Sequence, residues 1–221
     1  MKLSVAEKFI LFCLDDQTGR FRALPERSFE YGLAGALLED LAEADWISVS
    51  PERVEVRQEV SEATEADTVR SAAMTVLRKL ERPSLQGALG ALAGESSHLR
   101  DRVLKSLVDH GLLSRHTEEF LWFFHWDRYE TLSLTEEIAV AGRLRKVIIE
   151  EGEEATREEL VLIALIEVCQ LGSLLFSHAE WERYRERIRA LARADSIGCA
   201  VRDSLVEIQR AMLEVRAYSG M

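Results

Sequence analysis

The chain has 221 residues, of which 47% are hydrophobic and 30% charged, a composition typical of a folded globular protein and unlike that of a disordered or collagen-like chain. Its net charge of −11 repels nucleic-acid phosphates on average, so any anion site requires a local group of basic residues. Three widely spaced cysteines and an N-terminus without a signal-peptide pattern predict a cytoplasmic protein without disulfides.

The first third of the chain predicts two helices and a hairpin. Residues 4–7 (SVAE) form a capping box that begins a helix, which ends at the turn-forming residues 15–19. Residues 28–44 have leucines at helical spacing, with Gly32 and Gly35 small enough to admit a close neighbour. Residues 46–60 alternate around a turn at Pro51, which predicts a two-stranded hairpin.

The rest of the chain predicts further helices. Their approximate ranges are 66–80, 84–92, 97–110, 179–193 and 197–216. Two more capping boxes, at 133–136 (SLTE) and 156–159 (TREE), each predict the start of a long helix. The predicted fold is therefore mainly α, a single domain over 1–221 with one or two short β-hairpins.

Motifs for catalysis, metal binding or cofactor binding do not occur in the sequence. No HExxH, GxSxG, GxGxxG after a strand, or Walker sequence occurs, and the five histidines have no ligand spacing. Paired acids lie at helix ends, where they complement the helix dipole. We therefore expect a protein that is not an enzyme and that needs no metal or cofactor.

An aromatic run at 120–126 (FLWFFHW) is the first feature that indicates a function. If it is one extended strand, Phe120, Trp122, Phe124 and Trp126 share one face. A strand apolar on both faces is buried in the core or exposed to a membrane or a second subunit, and the sequence leaves these alternatives open. Tryptophan favours the headgroup zone of a bilayer.

Basic residues on the helix at 97–110 are the second such feature. Arg100 and Arg102 lie about 200° apart around a helix, so they form no patch by themselves. Arg100, near the start of the helix, could instead join residues from another element to bind a phosphate, which arginine grips with two hydrogen bonds. The alternative is a solvated helix face paired with Asp101.

Several stretches in order resemble the Golgi phosphoprotein 3 family. Residues 3–19 are similar to its opening LtLxEElxLLxLxDxxG, and 31–42 (YGLAGALLEDLA) to its GLRGcxLxELALxGrl helix. Residues 99–113 (LRDRVLKSLVDHGLL) resemble LRxVReRLxxxLVEKGvL, and the aromatic run lies where the family has a hydrophobic β-hairpin. The excess of arginine over lysine indicates a bacterial relative.

The resemblance implies a mainly helical protein that docks on membranes, gripping a lipid phosphate such as that of phosphatidylinositol 4-phosphate. It places the pocket arginines on Arg100 and Arg102. The other pocket positions fall on Ala34, on Ser97 and near Pro25, where the basic and aromatic residues of the family are replaced. It also implies cytosolic tails of glycosyltransferases as partners.

The leading hypothesis is thus a non-enzymatic, cytoplasmic adaptor, peripheral on a membrane that carries anionic lipid. Arg100 and Arg102, with nearby Arg115 and Arg128, would attract the lipid. The hairpin residues that would insert or self-associate are Trp122, Phe123, Phe124 and Trp126.

Two alternatives stay open. The first is a cytosolic homo-oligomeric scaffold joined through the aromatic hairpin. The second is a winged-helix-like DNA-binding protein with 99–110 as recognition helix, although Asp101, Asp109 and the acidic net charge favour no nucleic acid as partner.

Overall fold

Helices make up most of the protein. A computed structural model describes residues 2–57, 68–120 and 124–219. In chain order, helices α1 to α9 are Val5–Cys13, Ser28–Glu43, Thr68–Leu77, Leu85–Gly94, Ser96–Asp109, Thr135–Ile149, Arg157–Val168, His178–Ala192 and Ser196–Ser219. A short 3₁₀ helix, Gly172–Leu174, lies between α7 and α8. The predicted mainly α fold is confirmed.

The strands of the described residues form three antiparallel pairs. They are β1 (Leu14–Asp15) with β2 (Arg20–Phe21), β3 (Ile47–Val49) with β4 (Val54–Val56), and β5 (Leu113–Phe120) with β6 (Phe124–Thr131). The hairpin predicted within 46–60 is confirmed over 47–56, while Val60 lies outside the described residues. The short β1–β2 pair, which was not predicted, lies on either side of the turn predicted at 15–19.

The aromatic run forms parts of two strands and not the single extended strand considered from the sequence. Its first residue ends β5 and its last three begin β6, and the strand register pairs Phe120 with Phe124. The chain therefore reverses within the run, as the family resemblance implied. Residues 121–123, which include Trp122 and Phe123, lie outside the described residues.

Two of the three predicted capping boxes form. The Glu7 amide donates to Ser4 Oγ at 3.2 Å, and the Ser4 amide donates to the Glu7 carboxylate at 2.9 Å. Thr156 and Glu159 cap α7 in the same reciprocal way. The box predicted at 133–136 is absent, because α6 begins one residue later than such a box requires and has Leu134 as its N-cap.

Helix α2 is the centre of the core. It packs against α1, α4, α7 and α9, and its leucines at 33, 37, 38 and 41 are at most 1% exposed. A Cβ at Gly32 would lie 2.5 Å from Phe9 Cζ, and one at Gly35 would lie 2.7 Å from Val201 Cγ2. The small residues of α2 thus permit the close helix contacts that the sequence predicted.

A buried carboxylate joins α2 to α1. Asp40 accepts hydrogen bonds from the Val5 amide at 2.6 Å and the Ala6 amide at 3.1 Å, so it satisfies two free donors at the start of α1. This contact sets where α1 begins and which part of α2 it touches. None of the helices described is long and apolar enough to pass through a bilayer.

Candidate functional site

The β5–β6 hairpin is buried at its base and exposed farther along. Leu113 is 1% exposed and Tyr129 is 8% exposed, whereas Arg115 and His116, two and three residues beyond Leu113, are exposed. The backbone of Phe124 and Trp126 lies in β6, near the far end of the hairpin, and their side chains lie outside the described part of the chain. The hairpin therefore leads from the core toward the aromatic residues.

The turn between β1 and β2 holds the hairpin base. The Tyr129 amide donates to the Gly19 carbonyl at 2.8 Å, and Thr131 Oγ1 donates to Asp16 Oδ1 at 2.9 Å. Gly19 has φ +65°, and a Cβ there would lie 2.7 Å from the Tyr129 carbonyl oxygen. Glycine is thus required at this position for both its backbone conformation and the close approach.

A cavity of about 280 Å³ opens beside this contact, where β2 ends and the chain runs into α2. We call it the arginine cavity. Its lining residues are Phe21, Arg22, Leu24, Pro25, Glu26, Arg27, Phe29, Glu30 and Arg100. Eight of them come from one short segment, and only Arg100 comes from α5, so the tertiary fold completes the site.

Arg100 faces this cavity through an aromatic contact. Its guanidinium carbon lies 5.9 Å from the centre of the Phe21 ring, and Nη2 donates to Asp101 Oδ1 at 2.8 Å. The Asp101 pair is exposed and joins sequence neighbours, so it holds Arg100 weakly. Phe21 in turn packs edge-on against Phe29, with ring centres 5.0 Å apart.

Arg22 and Arg27 add two cations that the sequence analysis did not assign to the site. Arg22 Nη1 contacts Asp15 Oδ2 at 3.2 Å, while its Nε is buried and has no hydrogen-bond partner among the described residues. Arg27 is the N-cap of α2 and has the left-handed φ of +64°, with no side-chain cap. The local concentration of arginines at 20, 22 and 27, just before a helix, was the available signal.

Arg27 is an unexpected residue at its position. An N-cap favours Ser, Thr, Asp or Asn, and a left-handed φ favours glycine. Arg27 Nε lies 4.0 Å from Glu30 Oε1, and its guanidinium carbon lies 5.8 Å from the centre of the Tyr31 ring. Strained backbone of this kind is concentrated at functional sites, which supports a binding role for this arginine.

The family resemblance assigned Arg100 and Arg102 to one pocket, and the two side chains have different surroundings in the structure. Arg102 does not line the arginine cavity, and its Nε donates to His98 Nε2 at 3.0 Å. Of the other basic residues near the hairpin, Arg115 Nη2 donates to Asp127 Oδ2 at 2.7 Å, and Arg128 Nη2 donates to the Gln17 carbonyl at 3.4 Å.

The substituted family positions differ in their surroundings. Ala34 is buried in the core and Ser97 is exposed, so neither replaces a pocket arginine. Pro25 does line the arginine cavity, and there the aromatic wall comes from Phe21 and Phe29 instead. The cavity thus keeps an aromatic wall and cations, supplied by different positions.

Two titrating groups lie behind the site. Burial raises the pKa of Glu137, on α6, to about 7, with the charge of Asp16 acting in the same direction and Arg22 opposing it. Burial and the charge of Asp127 raise the pKa of Tyr129, and the charge of Arg100 opposes them. The charge of Arg22 thus acts on the Glu137 carboxyl group, and the charge of Arg100 acts on the Tyr129 hydroxyl group.

The described residues contain no cluster of three or more histidine, cysteine, aspartate or glutamate side chains that could hold a metal ion. Three guanidinium groups, which are permanent cations, and the carboxylates of Glu26 and Glu30 line the arginine cavity, so its formal charge is positive. A family model described as Golgi phosphoprotein 3 (GPP34) matches residues 5–208. Comparison with curated proteins gives no match.

Proposed function

Because this chain belongs to the Golgi phosphoprotein 3 family, we propose that it is a non-enzymatic adaptor that binds the surface of anionic membranes. The arginine cavity would receive a phosphate-bearing headgroup, and the tip of the β5–β6 hairpin would insert into the bilayer. The observation that carries the proposal is the position of three arginines in one cavity at the hairpin base.

The headgroup half of the proposal depends on Arg22, Arg27 and Arg100. Guanidinium groups bind phosphate oxygens in pairs, and a phosphate could replace the weak contacts to Asp101 and Glu30. The buried Nε of Arg22 would gain a partner. Arg22 and Arg27 would take the place of the basic residues that the family has at positions 34 and 97.

The hairpin half depends on Trp122, Phe123, Phe124 and Trp126. Burial of two or three aromatic side chains contributes on the order of several kcal/mol. Each arginine near an anionic leaflet adds about 1 kcal/mol. Since the net charge of −11 opposes approach to that leaflet, insertion must supply most of the binding energy.

Flotation with vesicles tests the headgroup half. The vesicles are phosphatidylcholine alone, phosphatidylcholine with phosphatidylserine, or phosphatidylcholine with phosphatidylinositol 4-phosphate. Arg27→Gln with Arg100→Gln should weaken binding to the anionic vesicles at least about tenfold, the loss of two charge-assisted contacts. Arg102→Gln is the matched control, since Arg102 lies on the helix of Arg100 but outside the cavity. Equal binding by both proteins would refute the cavity as the headgroup site.

The hairpin half is tested with Trp122→Ala combined with Trp126→Ala. We expect flotation to fall on every anionic vesicle while the circular dichroism spectrum stays unchanged. Retained flotation would show that the hairpin does not insert. A sizing column run on both proteins separates insertion from self-association, because a scaffold joined through the hairpin would change its oligomeric state without any lipid.

A further inference from the structure

A second cavity of about 510 Å³ lies between the end of α7, the 3₁₀ helix and α8. We call it the α8 cavity. Its volume is in the range of small-molecule sites in proteins. Its lining residues do not overlap those of the arginine cavity, and the hairpin contributes nothing to it. The α8 cavity is therefore a different place on the molecule from the proposed membrane contact.

The inner wall of the α8 cavity is apolar and firmly held. Phe176 is 3% exposed and Ile188 is 2% exposed. Trp181 lies directly against Gly172, where an added Cβ would be 2.5 Å from Cζ3 of the indole ring. Glycine at 172 therefore allows the ring to pack on the 3₁₀ helix, and the wall keeps a defined shape.

Two arginines lie at the rim of the cavity. Arg185 and Arg189 are one turn apart on α8, so both side chains lie on the same side of that helix. Each has a partner on its own helix, with Arg185 Nη1 at 3.1 Å from Glu182 and Arg189 Nη1 at 3.4 Å from Glu186. These exposed pairs contribute little free energy, so an anion could replace them at small cost.

Glu167, the acidic residue among the described lining residues, lies between two arginines, and its Oε1 is 4.0 Å from Arg189 Nε. Glu167 Oε2 accepts a hydrogen bond from Arg202 Nη2 at 2.9 Å, and Arg202 does not line the α8 cavity. Because the Glu167 carboxylate is shared between Arg202 and Arg189, it offsets only part of the charge of the two rim arginines. An apolar wall below two cations matches a ligand with an apolar body and one negatively charged group.

We infer that the α8 cavity binds a small amphipathic anion, with its apolar body against Phe176, Trp181 and Ile188 and its carboxylate, sulfonate or phosphate group between Arg185 and Arg189. This inference does not rest on the proposed membrane function. It assigns the chain a ligand site that persists whether or not the hairpin inserts.

Fluorescence titration with a matched pair of probes tests the inference. Anilinonaphthalene sulfonate carries an apolar body and one anionic group, and phenylnaphthylamine is its neutral counterpart. We expect the sulfonate to bind the full chain saturably and at least about tenfold more tightly than the neutral probe, since charge-assisted hydrogen bonds are the difference between them. Failure of the sulfonate to bind would overturn the inference.

Variants locate the site. Arg185→Gln with Arg189→Gln should weaken binding of the sulfonate about tenfold or more. Arg183→Gln is the control for each single substitution, because it removes one positive charge from α8 at an exposed position outside the cavity lining. Arg27→Gln with Arg100→Gln should also leave the affinity unchanged. Equal affinity in the double α8 variant and in Arg183→Gln, or a loss confined to the arginine-cavity variant, would contradict the inference.

Discussion

At the scale of single residues, backbone strain and burial identify positions where a residue lowers the free energy of unfolding. Arg27 and Arg82 both adopt a left-handed backbone conformation, which costs a residue with a Cβ of order 1 kcal/mol or more. Only Arg27 lines the arginine cavity. Glu137 is a half-buried carboxyl group, and the burial of one of its oxygens disfavours its ionisation. The strained backbone and the half-buried carboxyl group each predict that substitution changes the free energy of unfolding.

Replacement of Arg27 should separate stability from binding. Arg27→Gly relieves the left-handed conformation, so we expect the free energy of unfolding in urea to rise by up to about 1 kcal/mol. Flotation on anionic vesicles should fall in the same variant. Arg82→Gly makes the same chemical change at an exposed turn and should raise stability without changing flotation. Parallel changes in flotation for the two variants would argue against a binding role for Arg27.

Glu137 predicts how stability depends on pH. Its pKa in the folded protein is about 7, above the usual 4.5, so the folded state holds a proton that the unfolded state releases. Stability from this group is therefore fully present below about pH 4.5 and is lost as pH rises through 7.

We expect Glu137→Gln to reduce the loss of unfolding free energy between pH 5 and pH 8 by up to about 2 kcal/mol. Urea titrations of the variant at both pH values measure the effect. Glu136→Gln removes a carboxylate from the same turn of α6 and serves as control. If the unfolding free energy of the variant fell with pH as steeply as that of the wild type, Glu137 would be ionised in the folded protein over this whole pH range.

At the scale of elements, the hairpin is positioned by one short turn. The β1–β2 turn supplies the Gly19 carbonyl and Asp16 carboxylate to the hairpin base, and the same segment continues into the arginine cavity. The hairpin and the cavity therefore share a support, and a change in the turn should reach both.

Gly19→Ala should loosen this support. The added Cβ meets the Tyr129 carbonyl and requires an unfavourable positive φ, so we expect a destabilisation of about 1–3 kcal/mol and faster hydrogen exchange at the Tyr129 amide. Gly142→Ala is the contrasting case, because its Cβ would meet nothing within 4 Å in the middle of α6. It should stabilise the protein by about 0.5–1 kcal/mol. A stable Gly19→Ala protein with slow Tyr129 exchange would show that the turn does not hold the hairpin.

At the scale of the whole molecule, the net negative charge repels the anionic bilayer that the arginine cavity would attract. A chain of charge −11 is repelled from an anionic bilayer, while the arginine cavity and hairpin tip act only at short range. Salt weakens both the repulsion and the local attraction, and it leaves apolar insertion intact.

Vesicle affinity should consequently fall only partly with salt, by less than about tenfold between roughly 0.05 and 0.5 M NaCl. Binding of the Trp122→Ala, Trp126→Ala variant would depend on its arginines alone, so its vesicle affinity should fall by a larger factor as salt increases. Co-sedimentation with phosphatidylcholine vesicles containing phosphatidylserine measures both. A complete loss of wild-type binding in high salt would mean that electrostatic attraction, not insertion, supplies most of the binding energy.

The sequence by itself determined the features that depend on neighbouring residues. Helix periodicity, two of three predicted capping boxes and the 47–56 hairpin follow from local hydrogen bonding and side-chain spacing. The family motifs, read in order, identified the fold. The α8 capping box at Ser177 and Glu180 is equally local, although it was not predicted.

Only the tertiary structure decided which residues meet. Arg100 joins Arg22 and Arg27 because α5 packs beside the segment that follows β2, while Arg102, two residues away, turns to His98. The aromatic run folds back because β5 and β6 pair, although its composition alone is equally suited to one strand. Contacts between residues far apart in the chain arise when whole helices and strands pack together. Local sequence patterns depend on neighbouring residues only, so they do not predict which elements pack against each other.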